Sequence, residues 1–125
     1  MTNRLAYVRF FSDAQGASHI EKGLAVHLVP TNFAPPAAAI LVSPLQTASA
    51  CAFLSAPAGY FGDWHPSPRR QWLLFISGQI EFEVSDGERF LGVPGSIVLL
   101  EDTTGTGHRS TVHGQEPAVM AAVQL

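Results

Sequence analysis

Two histidines, His65 and His108, stand in the two segments of this chain richest in chemistry. The first segment runs Gly59-Tyr-Phe-Gly-Asp-Trp-His65-Pro-Ser67-Pro-Arg69-Arg70-Gln71 and continues to Gly78. The second runs Pro94-Gly95-Ser-Ile-Val-Leu-Leu-Glu101-Asp102-Thr-Thr-Gly105-Thr-Gly107-His108. Imidazole nitrogens bind first-row transition metals, and they also move protons near neutral pH. Gln71 offers a neutral amide oxygen, a weak ligand with one formal charge less than a carboxylate. Ser67 is a poor ligand at neutral pH. Arg69 carries a guanidinium, which matches the two oxygens of a carboxylate or a carbonyl oxygen. Two sites remain open on these residues. One is a weakly held divalent metal on His65, Gln71 and His108, with zinc, iron, manganese or nickel as the ion. The other is metal-free, with His65 and His108 as acid and base and Arg69 and Gln71 fixing a substrate oxygen.

These groups must be brought together by strands. Proline and glycine punctuate the whole chain, and no stretch beyond about 12 residues keeps a helical apolar period. Leu5 to Phe11, Leu24 to Val29, Ala48 to Leu54, Gln71 to Ser77, Gln79 to Ser85, Arg89 to Leu91, Ser96 to Leu100, His108 to Val112 and Ala118 to Leu125 read as strands. Gln71–Ser77 and Gln79–Ser85 read as a hairpin about Gly78, and Asp86-Gly87 as a tight turn with positive φ. Pro30 to Pro44, with Pro35-Pro36, reads as irregular, since proline lacks an N–H and fixes φ. Alternation of side chains along a strand puts Phe61, Asp63 and His65 on one face. It puts Arg69, Gln71, Leu73 and Phe75 on one face of the next strand. Many short strands in a small chain suit an all-β, single-domain jelly-roll barrel over residues 1–125.

Composition narrows the partners. The 125 residues hold a net charge of −3 and one adjacent basic pair, Arg69-Arg70, which argues against nucleic-acid binding. No segment approaches the roughly 20 apolar residues of a membrane span, and Met1 to Phe11 mixes charge into its apolar residues, unlike a signal peptide. The expectation is a cytoplasmic protein with no membrane partner. The single cysteine, Cys51, excludes an intrachain disulfide and a thiolate zinc site, and reads as a small buried strand residue. His19, His27 and His113 read as surface or loop residues. Asp102 opens an Asp-Thr-Thr-Gly turn, where its carboxylate is expected to accept backbone N–H bonds. Arg70, Trp72, Leu74 and Ile76 put apolar bulk on the face opposite the pocket. A homodimer built on that sheet is the preferred expectation, and cover by the N-terminal segment the alternative.

The spacing of Gly59, His65 and Gly78 resembles the first signature of the cupin superfamily, with Ser67 at the second histidine position and Gln71 at the glutamate position. The segment from Pro94 to His108 resembles the second signature, which supplies one more histidine. The signature region spans about 59–112, and the two segments resemble those of small single-domain bacterial cupins whose activity is mostly unassigned. The resemblance implies a jelly-roll β-barrel whose mouth receives His65, Gln71 and His108, with Arg69 one step nearer the rim. Phe61, Leu73, Phe75 and Val112 are expected as the apolar lining. The implied function is a small-molecule enzyme acting on an organic acid or carbonyl compound: an oxygenase, isomerase or lyase, working with or without a metal. The alternative is a non-catalytic ligand-binding or sensor protein with a degraded metal site. Arg69 equally suits a rim ion pair with Glu101 or Asp102.

Overall fold

The computed structural model describes residues 3–125. Met1 and Thr2, which open the N-terminal segment discussed above, lie outside the described residues. Among those residues there are twelve strands: β1 (Arg4–Ser12), β2 (Ser18–His27), β3 (Val29–Thr31), β4 (Ile40–Val42), β5 (Ala50–Ala56), β6 (Phe61–His65), β7 (Gln71–Ser77), β8 (Gln79–Val84), β9 (Arg89–Gly92), β10 (Ile97–Glu101), β11 (His108–His113) and β12 (Ala118–Gln124). Among the described residues no helix is long and apolar enough to cross a membrane.

The pairing is nested. β8 pairs with β9, β7 with β10, β6 with β11 and β5 with β12. Folding that long double ribbon over itself gives one sheet containing β10-β7-β12-β5 and a second ordered β6-β11-β8-β9. This is the strand order of a jelly roll, and the all-β expectation holds. The β1–β2 hairpin widens the first sheet to six strands, with β1 parallel to β10.

Alternation explains why the two sheets close on each other. β8 reads Gln-Ile-Glu-Phe-Glu-Val, and Ile80, Phe82 and Val84 are buried while the residues between them are not. They meet Phe10, Leu73, Phe75, Val98, Leu100 and Met120 from the facing sheet. Phe82 packs edge-on against Phe10 at 5.6 Å and Phe75 at 6.0 Å between ring centres. Phe10 is wholly buried, and burying such a ring is worth about 2–3 kcal/mol.

Four local expectations change. Gln71–Ser77 and Gln79–Ser85 do not form a hairpin: β7 and β8 lie in different sheets, and Gly78 is the corner between them. Alternation fixes which way side chains face but not which strand lies alongside. Within the β8–β9 turn only Gly87 has positive φ, at 93°. Its N–H donates to the Val84 carbonyl, so the turn is the three-residue type rather than the two-residue one. The Pro30–Pro44 stretch contains β4 and all of β3 but Val29, paired as a small sheet of their own. Cys51 is exposed, because β5 is the edge of its sheet.

Candidate functional site

The two signature segments meet where β6 runs beside β11. His65 and His108 are direct cross-strand partners, with ring centres 4.7 Å apart. A β-bulge makes this possible. The register shifts between His108 and Ser110, so that Ser110 pairs with Gly62 and His108 with His65. The extra residue reverses the face on which His65 falls. Phe61 therefore points away from the site and is exposed, contrary to the simple alternation.

Each imidazole is held by its Nδ1. In His65, Nδ1 lies 2.7 Å from the Asp63 backbone carbonyl. A carbonyl only accepts, so Nδ1 donates its proton, and neutral His65 keeps its lone pair on Nε2. In His108, Nδ1 lies 2.6 Å from Asp102 Oδ2. A carboxylate accepts here too, which fixes the same tautomer. His108 and Asp102 are both buried, and Asp102 is fully so. Asp102 Oδ1 has no hydrogen-bond partner among the described residues. The ring of His108 packs against Phe82 at 5.5 Å and Phe10 at 6.0 Å.

The loop that spaces Asp102 from His108 is pinned on several sides. Gly107, at φ 73°, lies so close to β6 that a Cβ on it would sit 2.0 Å from the His65 carbonyl oxygen. Ser18 Oγ donates to the Gly107 carbonyl, and the Thr106 N–H donates to Gly16 O at 3.0 Å. The Ser67 N–H donates to the Asp102 carbonyl at 2.9 Å, tying this loop to the β6–β7 connection. Adjacent Glu101 faces the other way, to Arg9 and Arg70. Burial pushes the Glu101 carboxyl up, but those two guanidiniums outweigh it and hold its pKa below the ordinary value.

His65, Gln71 and His108 all line one cavity of about 570 Å³ between the sheets. Gln71 is buried, with Oε1 3.4 Å from Gln124 Nε2 and Nε2 3.4 Å from Ser67 Oγ. Ser67 Oγ donates to the Arg69 carbonyl at 2.7 Å. Tyr60 and Ser110 add hydroxyls to the wall. Gly62 makes room for them: a Cβ there would lie 2.7 Å from the Tyr60 hydroxyl and 3.1 Å from Ser110 Oγ. The apolar wall includes Leu54, Leu73, Phe82, Leu100 and Met120.

Several expected site residues fall elsewhere. Arg69 is exposed and is not part of the cavity wall, because the Pro66-Ser67-Pro68 bend interrupts the alternation that pointed it inward. The rim ion pair on Glu101 is made by Arg70 instead. Of the expected apolar lining, Leu73 is present, whereas Phe75 and Val112 are packed into the core beyond it. Asp102 does not cap its turn but grips His108. The signal for that role was the six-residue spacing of an acid and a histidine across one turn.

The donors fit a tightly held metal poorly. Two imidazoles and an amide supply no anionic ligand, and among the described residues no three His, Cys, Asp or Glu side chains converge. What the arrangement presents is two imidazole bases, one backed by a buried carboxylate, in a largely apolar cavity.

No protein-family model matches this chain, and no curated protein is similar to it in sequence. Among solved structures it is similar to the Schizosaccharomyces pombe Cnp3 cupin domain, at 13% identity and a TM-score of 0.49, over 100% of this chain and 86% of that one. The nested strand pairing carries the fold on its own, and it makes this chain an all-β jelly roll.

Proposed function

We propose that this protein is a small-molecule enzyme that moves a proton next to a carbonyl group, with His108 as the base. The observation that carries the reading is the buried Asp102–His108 pair at the wall of the cavity. Asp102 holds Nδ1–H, so Nε2 of His108 is the nitrogen that takes the proton. Its C–H electron pair moves into a carbon–carbon double bond as the carbonyl oxygen gains charge. The imidazolium that forms is stabilised by Asp102, and the same nitrogen returns the proton to carbon or oxygen. Hydroxyl groups of Tyr60 and Ser110 and the Gln71 amide are the donors for the oxygen. His65 Nε2 accepts from a ligand hydroxyl. Isomerisation, epimerisation and hydration all use this step. The reading includes a homodimer formed on the outer face of the six-stranded sheet.

The test is hydrogen–deuterium exchange at carbon next to the carbonyl, followed by NMR in D₂O for a panel of small ketones and keto acids. The wild type should accelerate exchange for at least one member. Asp102→Asn should slow that rate roughly a hundredfold or more, the range of a positioned general base, with binding little changed. Binding without any exchange would instead identify a non-catalytic ligand-binding protein.

A further inference from the structure

Resting on the proposed reading of this cavity, we infer that its ligand is uncharged: a neutral carbonyl or hydroxy compound with an apolar body, not an organic acid. The wall contains no Lys, Arg, Asp or Glu side chain. Its polar atoms are hydroxyls, carboxamides and two imidazoles, concentrated around His65, Gln71, His108, Ser110 and Tyr60. The rest is aliphatic or aromatic.

A carboxylate entering such a cavity would lose water without gaining a cation. The guanidiniums nearest in sequence are all placed elsewhere. Arg69 is exposed outside the wall. Arg70 is held on Glu101. Arg109 pairs with Glu83 at 2.9 Å and lies over the Trp64 ring at 4.9 Å. The ionisable group directly behind His108 is Asp102, itself a carboxylate, so a second anion beside it is disfavoured further. Neutral oxygens suit the wall instead: a carbonyl accepts from Tyr60, Ser110 or the Gln71 amide, and a hydroxyl donates to an imidazole Nε2.

The experiment measures binding of matched aromatic probes to the full chain at about pH 8, where an ordinary imidazole is neutral. Acetophenone and benzamide are the uncharged probes and benzoate the charged one, with chemical shifts of His65, His108 and Ser110 reporting the location. The uncharged probes should bind in the cavity at least tenfold more tightly than benzoate. Ala52→Arg supplies the absent cation from an exposed position on β5 that also lines the cavity. It should improve benzoate relative to acetophenone at least tenfold. Equal or tighter binding of benzoate by the wild type would overturn the inference while leaving the Asp102–His108 chemistry standing. An unchanged ratio in Ala52→Arg would also overturn it. Absence of all three probes from the cavity would overturn both the inference and the ligand site.

Discussion

Asp102 and His108 lie six residues apart and meet across a single loop, and that contact changes what the site can do. The sequence pointed to His65, Gln71 and His108, because glycine and histidine spacings on strands translate directly into positions. It did not reveal the partner of Asp102, since an aspartate before Thr-Thr-Gly has an equally good local use in capping the turn. It also misplaced Phe61, because one bulged residue reverses a face and leaves no compositional trace. Gln71 offers a prediction at this scale. Gln71→Glu places an anionic ligand beside two imidazoles, and one added charge a few ångströms from a dication is worth several kcal/mol at an effective dielectric near 20, before desolvation. Zinc or manganese affinity measured by calorimetry should rise at least tenfold over the wild type. Equal affinity in the two proteins would mean that residue 71 and the histidines do not share a site.

At the scale of elements, the loop from Asp102 to Gly107 and the turns around it position the base. Gly107→Ala drives a Cβ into the His65 backbone, and backbone cannot swing aside as a side chain does. A loss of about 3 kcal/mol or more is expected in denaturant unfolding. A loss under about 1 kcal/mol would show that the loop does not pack on β6 as described. On the same side of the fold, His19 joins two turns, with Nε2 2.7 Å from Asp13 and Nδ1 2.9 Å from Asp86. The hydrogen bond that His19 donates to Asp13, then the one it donates to Asp86, raises the His19 pKa above 6.5. The bond to His19 in turn lowers Asp13 below 3.8. The His19 contribution to stability is full below pH 6.5 and is lost as pH rises through its raised folded value. The Asp13 contribution is present above pH 3.8 and is lost as pH falls through its lowered folded value. The melting-temperature difference between wild type and His19→Gln should therefore be greatest between pH 3.8 and 6.5 and shrink in alkali. A difference that stays unchanged from that range into alkali would contradict the clasp. Neither the loop contacts nor the clasp was legible beforehand, because both join segments distant in sequence.

For the whole molecule, the jelly roll was legible from strand number and patterning, while its sheet membership needed the pairing itself. The outer face of the six-stranded sheet holds a second groove of about 550 Å³, lined by residues such as Tyr7, Trp72, Leu74 and Leu99. Part of it is covered from within, where Trp72 Nε1 donates to Gln46 at 2.6 Å. Leu74 and Ile76 remain exposed, at 37% and 50%. Light scattering should give twice the chain mass, and Leu74→Glu should return the single chain mass. A monomeric wild type would contradict the homodimer. In the proposed reaction this fold delivers His108 to the cavity with Nε2 unprotonated and Nδ1–H held by Asp102. Nitrogen-15 spectra of the histidine rings in the folded protein, near pH 8, report that directly. The expected result is a protonated Nδ1 and a bare Nε2 for His108, with the Nδ1–H signal displaced in Asp102→Asn. A proton on Nε2 would make His108 a donor towards the cavity, unable to take a proton from a ligand, and would contradict it.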